Sequence, residues 1–179
     1  NKLNNKKIIA LVSKNIQQNW QNTIYDPNKI GNQCSEDIKN IIDNEIKDDI
    51  NKNPSQFKVK QKIKDFYEFY GYLEFSNYIQ RLRDIRIGRR DLSKKEKEKI
   101  LRDVIREYCS DRIMIIDEVH NLRDDNITNK KDGEGPSKDT IKYLDKIVKY
   151  SENMRLVLMS ATPMFNKPSE IIWLLNLLL

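Results

Sequence analysis

The stretch Arg112-Ile-Met-Ile-Ile-Asp-Glu-Val-His-Asn121 runs four apolar residues straight into two adjacent carboxylates and the one histidine of the chain. A short, continuous apolar run rich in isoleucine predicts a strand buried on both faces over Ile113–Ile116, with Asp117 at its exit. Strands of that kind belong to parallel sheets, and in parallel sheets ligands collect beyond the carboxyl ends of the strands. The position of Asp117, Glu118 and His120 therefore decides both the fold class and where to look for chemistry.

Working outward, Lys7 to Ser13 is a second apolar run that suits a buried strand, and Asn15 to Ile24 opens a helix with Ile16, Trp20 and Ile24 at i, i+4 and i+8. Arg155 to Met159 reads as one more buried strand, and Phe66 to Tyr70 as an aromatic strand ending at Gly71. Between them lie helical patterns: Leu73 to Leu82, a helix opened by the capping box Ser93-Lys-Lys-Glu96, and Thr140 to Tyr150. Ser35 opens a further amphipathic helix with Ile38, Ile41, Ile42, Ile46 and Ile50 on one stripe. Phe57 to Asp65 is basic and of undecided type, and Ser169 onward is a helix apolar nearly all round. Strands alternating with helices predict an α/β domain on a mainly parallel sheet, with 28–65 as an insertion and 123–139, which contains Gly133-Glu-Gly-Pro136, as a flexible loop.

At 179 residues the chain is the size of one domain, and with 34 % charged residues some of its segments have to be surface. A net charge of +6 points to a polyanionic partner, nucleic acid first. Cys34 and Cys109 stand far apart with no C-x-x-C, which argues against zinc and disulfides and suits a reducing intracellular compartment. No apolar run is long enough to span a bilayer, so no membrane partner is expected. The arginine-rich Arg86-Ile-Gly-Arg-Arg90 reads as a basic surface turn, and the lysines from Lys94 to Lys99 as a solvated helix face.

A carboxylate at a buried strand's exit is well placed for magnesium, which prefers oxygen ligands and keeps several waters, and a second carboxylate beside it can activate a water. On these residues alone a plainer reading stays open, with Asp117 as a helix cap and Glu118 solvated. The order of segments adds to it. About forty residues after Ile-Ile-Asp-Glu-Val-His-Asn comes Leu156-Val-Leu-Met-Ser-Ala-Thr-Pro-Met-Phe-Asn-Lys-Pro-Ser-Glu-Ile-Ile-Trp173. The pair resembles the DExH box and SAT motif of superfamily 2 helicases and translocases, and most closely the Swi2/Snf2-like ATPases and their relatives in large DNA viruses, including poxvirus-type nucleoside triphosphatases and early transcription factor ATPases. Glu170 and Trp173 match the helix that follows the family's Thr-Pro pair, and Ile8 to Trp20 is similar to its motif Ia. The heavy use of Asn, Ile and Lys suits an AT-rich genome of that kind.

The resemblance implies a RecA-like first motor domain, spanning motif Ia to motif III, in an ATP-dependent nucleic-acid motor that takes ATP and Mg²⁺ as cofactors. Asp117 would position Mg²⁺ through water, Glu118 would be the base for the hydrolytic water, and His120 would join the nucleotide site to Ser160, Ala161 and Thr162, which couple hydrolysis to movement. Ser13, Lys14 and Asn15, with Gly71 and Tyr72, would touch the nucleic-acid backbone, DNA rather than RNA. The implied partners are a second motor domain of the same chain and viral transcription or genome-handling machinery, and the implied location is a virion or viral factory in the host cytoplasm. A P-loop, G-x-x-x-x-G-K-[ST], is missing: none of Gly31, Gly71, Gly88, Gly133 and Gly135 precedes a lysine. The expectation is that the phosphate-binding strand and loop lie upstream of Asn1 and that residues 1–179 alone do not hydrolyse ATP. The competing class is a degenerate motor domain that binds nucleic acid or a protein without catalysis. Simpler roles also stand beside the implied ones: a structural hydrogen bond for His120, caps and turns for Ser160 and Thr162, and core packing for Trp20 and Trp173.

Overall fold

The first strand, β1 (Ile8–Leu11), anchors the sheet, and Ile9, Ala10, Leu11 and the following Val12 are fully buried. The structure is a computed structural model that describes residues 6–26, 40, 44, 56–122, 138–163 and 169–178. β1 pairs in parallel with β2 (Tyr67–Tyr70) on one side and with β3 (Ile113–Ile116) on the other, and β3 pairs in parallel with β4 (Arg155–Leu158). The order is β2-β1-β3-β4, an α/β arrangement with an all-parallel sheet.

A 3₁₀ turn at Lys14–Ile16 leads into α1 (Gln17–Ile24), and α2 (Gln56–Phe66) leads into β2. Then come α3 (Tyr72–Ile87), α4 (Lys94–Cys109), α5 (Lys138–Tyr150) before β4, and α6 (Ser169–Leu178). Parallel crossovers are right-handed, so reversing the direction of travel across a sheet moves the helices to its other face. From β1 to β2 the chain steps one way; from β2 to β3 and β4 it steps the other. Accordingly Ile24, Tyr25, Val59 and Ile63 of the α1–α2 segments pack with Phe66, Tyr67 and Phe69 on one face. On the opposite face Phe75, Ile79, Leu101, Val104, Ile105, Leu144 and Ile147 of α3, α4 and α5 bury Ile9, Leu11, Met114 and Ile116. Each such aliphatic side chain contributes roughly 2 kcal/mol by leaving water.

Coverage is uneven. Ala10, Ile115 and Val157 form one row across the α1–α2 face of the sheet. Exposure climbs along it, from none at Ala10 through half-buried Ile115 to 43 % at Val157. The expected buried strand at Arg155–Met159 is thus an edge strand with alternate residues exposed, because β4 has only β3 beside it among the described residues.

Other expectations sharpen. Phe66 closes α2 instead of opening a strand, and the undecided Phe57–Asp65 is helical, its Val59 and Ile63 buried against the sheet. The capping box forms: the Ser93 N–H donates to Glu96 Oε2 at 2.8 Å, and the Glu96 N–H donates to Ser93 Oγ at 3.4 Å. α3 runs past Leu82 and stops at Gly88, whose φ of 61° lies in the left-handed region that only glycine adopts freely. Of the expected turn at 86–90, residues 88–90 are an exposed turn, while Arg86 and Ile87 are the last residues of α3. Cys34, nearly all of the 35–50 stripe, and 123–137 of the expected loop lie outside the described residues, while Lys138 and Asp139 of that loop are the first residues of α5. No helix among the described residues is long and apolar enough to cross a membrane.

Candidate functional site at the carboxyl end of the sheet

The strand order reverses between β1 and β3, and Asp117 stands at that point. Its N–H donates to the Leu11 carbonyl at 3.0 Å, so it closes the ladder between the two strands. Its carboxylate is held from both sides: Oδ2 accepts the Trp20 indole N–H at 2.8 Å, and Oδ1 accepts the Glu118 N–H at 2.9 Å. The Tyr72 hydroxyl donates to the Asp117 carbonyl and also lies 3.5 Å from the Glu118 carbonyl. Burial, with the neighbouring Asp117 and Glu118 adding to it, raises the Tyr72 phenol far above its ordinary range, so this hydroxyl stays a donor at any physiological pH.

Glu118 adopts a φ of 48°, a left-handed conformation uncommon for a non-glycine residue that costs of order 1 kcal/mol. The twist turns the chain out of β3 into a short 3₁₀ segment, Val119–Leu122. His120 Nδ1 then lies 3.0 Å from Ser160 Oγ, and the pair shares one hydrogen whose side is set by the imidazole tautomer. The same nitrogen is 3.1 Å from Glu118 Oε2, but off the hydrogen-bonding direction. Oε2 is therefore a buried carboxylate oxygen without a hydrogen-bond partner among the described residues. Such an atom is costly unless a water or ion meets it in the working state.

Two further backbone bonds lock the exits of β3 and β4 together: the Met159 N–H donates to Ile116 at 2.9 Å, and the Val119 N–H to Met159 at 3.0 Å. Ser160 Oγ also accepts the Thr162 N–H at 3.2 Å, while Ala161 and Thr162 are exposed. Asp117, Glu118, His120 and Ser160 are thus one connected group.

Of the remaining residues singled out by sequence, Ser13, Lys14 and Asn15 are exposed just beyond β1, in a turn without a side-chain cap. Gly71 follows β2, its N–H taken by Glu74 Oε2 at 3.3 Å. Tyr72 does not face outward beside them; its hydroxyl points to Asp117. Trp20 is the residue that sequence reasoning assigned to the core. It is half-buried and reaches a carboxylate 97 positions away, a pairing that no local spacing signals.

With one N–H on each Asp117 oxygen, the carboxylate is fixed yet keeps a lone pair on each atom, which fits a magnesium approached through its waters. No group of three or more His, Cys, Asp or Glu side chains able to cage a metal occurs among the described residues. For a triphosphate the chain offers no G-x-x-x-x-G-K-[ST] cradle. Comparison with protein-family models, with curated proteins and with solved structures finds no match.

Proposed function

We propose that the chain is part of the first, RecA-like domain of a superfamily 2 DExH-type ATPase that moves along nucleic acid, DNA before RNA. The observation that carries the reading is the Asp117 carboxylate held on both oxygens by N–H donors at the switch point of a parallel sheet, with Glu118 Oε2 3.1 Å from His120 one residue on. Asp117 would hold a magnesium ion through its waters, and the ion would supply charge neutralisation for phosphate oxygens. Glu118, whose side chain is partly exposed, accepts a proton from the attacking water at its carboxylate. His120 and Ser160 join that carboxylate to the exposed Ala161–Thr162 turn, so a change at Glu118 is felt at the surface. Exposed Ser13, Lys14 and Asn15 offer hydroxyl, ammonium and amide groups suited to phosphodiester oxygens, contacts that position a strand without reading its sequence.

The phosphate cradle is the part this reading must find elsewhere, and the shape of the sheet supports a particular place for it. A strand added in parallel beyond β4 would end next to Ser160–Thr162. From there a right-handed crossover travelling toward β1 runs over the α1–α2 face, the side on which Val157 is exposed and Ile115 only half-covered. A strand, phosphate loop and helix preceding β1 would fill both the open edge and the thin face.

The test compares ATP turnover, with and without duplex DNA, by residues 1–179 and by a longer protein carrying the upstream strand, loop and helix. DNA-stimulated turnover by the longer protein alone supports the reading. Turnover by residues 1–179 would remove the need for the upstream unit. DNA binding by the longer protein without any turnover would favour a non-catalytic binding module instead.

A further inference from the structure

We propose that Trp20 is a positioning residue for Asp117, tying the turn at 13–15 to the carboxylate so that occupancy of the one alters the other. The proposal rests on the nucleic-acid-dependent ATPase reading above. α1 starts directly behind the 3₁₀ turn that ends β1, and neither the turn nor the helix has a side-chain cap. The Ile16 N–H of that turn donates to the Ser13 carbonyl at 3.0 Å, and Ser13, Lys14 and Asn15 are exposed. Gln17 holds the first turn of α1 against the strand, its Nε2 donating to the Val12 carbonyl at 3.2 Å. One turn later Trp20 places its single indole donor 2.8 Å from Asp117 Oδ2.

The link is short and stiff. An indole has one N–H and two side-chain torsions, so a displacement of α1 by about an ångström takes the bond out of hydrogen-bonding range. Filling the space requires only a large ring, and phenylalanine would do that; the nitrogen is what the carboxylate uses. A second aromatic donor does the matching task from the next loop, since Tyr72, just after β2, holds the Asp117 carbonyl. The loops behind β1 and β2 each send one aromatic hydrogen bond to the same residue, Trp20 to its side chain and Tyr72 to its backbone. A ligand seated on the exposed turn at 13–15 therefore shifts the orientation of Asp117, and by linkage a ligand at Asp117 shifts affinity at the turn by the same factor.

The test uses the full protein with Trp20→Phe, which keeps the ring and removes the N–H. DNA-stimulated kcat should fall roughly tenfold, the low end for losing a hydrogen bond to a charged acceptor, while KM for ATP stays within about twofold. In Trp20→Phe the Mg²⁺ concentration giving half-maximal turnover should rise severalfold, because Asp117 is less well oriented; an unchanged Mg²⁺ dependence would make Trp20 a packing residue and overturn the proposal. An independent readout is the indole N–H resonance of ¹⁵N-tryptophan-labelled protein, assigned by its disappearance in Trp20→Phe. It should move in Asp117→Asn and again on addition of duplex DNA. An unmoved resonance in Asp117→Asn refutes the contact, and DNA that binds without moving it refutes the link. A protein with no turnover whose resonance still responds to both would sink the ATPase reading and leave the link standing.

Discussion

Glu68→Ala should destabilise the fold by far more than the loss of a surface carboxylate, because among the described residues Glu68 is the carboxylate that pairs with Arg112. Arg112 Nη1 lies 3.0 Å from Glu68 Oε2, and the guanidinium side chain is only 9 % exposed against 23 % for the carboxylate. The same oxygen accepts the Tyr108 hydroxyl at 2.5 Å, Tyr108 and Tyr70 share a hydrogen at 2.9 Å, and the guanidinium sits 4.7 Å above the Tyr108 ring. Arg112 Nε is buried with no hydrogen-bond partner among the described residues, so the cation already carries one unmet donor. Removing Glu68 strands a nine-tenths-buried positive charge and takes the acceptor from one phenol O–H. Breaking a buried pair from one side costs roughly 3–5 kcal/mol. For a chain of this length each kcal/mol is worth roughly 2–4 °C, so the melting temperature should drop by roughly 10 °C. Thermal unfolding followed by circular dichroism measures it on Glu68→Ala, Arg112→Met and the double variant. Since an apolar replacement of both charges removes the stranded group, the double variant should be more stable than the sum of the singles predicts. A shift under about 2 °C for Glu68→Ala, or additivity within roughly 0.5 kcal/mol, would refute the reasoning.

Two other outcomes follow from the same geometry. The Glu98 carboxyl is held below its ordinary value of 4.5, first by the Lys146 ammonium at 2.8 Å and then by the Tyr150 hydroxyl at 2.9 Å. A depressed folded pKa gives stability that is fully present above 4.5 and lost as pH falls through the lower folded value, so between about pH 5 and pH 3 the parent should lose more stability than Glu98→Gln; parallel acid-unfolding curves would contradict this. Burial pushes the Cys109 thiol up to about 12, so in Cys34→Ser protein a thiol reagent should modify Cys109 only at the rate of unfolding, and fast labelling in native buffer would contradict its burial.

The parts of this fold that are legible in the sequence are those set by local periodicity. The apolar runs around Ile9 and Met114 mark strands, β1 buried on both faces as expected and β3 fully buried on one face only, with Ile113 and Ile115 partly covered; Ser93 with Glu96 marks a helix start because the two side chains satisfy each other's backbone. The edge character of β4 was not legible, since Arg155-Leu-Val-Leu-Met159 is as apolar as a central strand and only the strand order tells which has one neighbour. α2 was undecided because lysines crowd its sequence, although Val59, Ile63 and Phe66 already sit at helical spacing. In the site, parallel pairing of β3 and β4, with Ile116 opposite Leu158, is what brings His120 beside Ser160. That contact follows from two strand exits in register, so it could be anticipated from the two motifs. The bonds of Trp20 and Tyr72 to Asp117, and of Arg112 to Glu68, join single polar groups across long separations and leave no periodic trace.

The central claim, that Glu118 is the base of a nucleotide hydrolase whose magnesium is oriented by Asp117, is tested most directly by Glu118→Gln in the full protein. The change keeps the size of the side chain and removes its ability to take a proton. Nucleotide affinity, read by equilibrium binding of a fluorescent nucleotide with Mg²⁺, should stay within about twofold, while DNA-stimulated turnover should fall by roughly a hundredfold or more. Turnover equal to that of the parent protein would contradict the account.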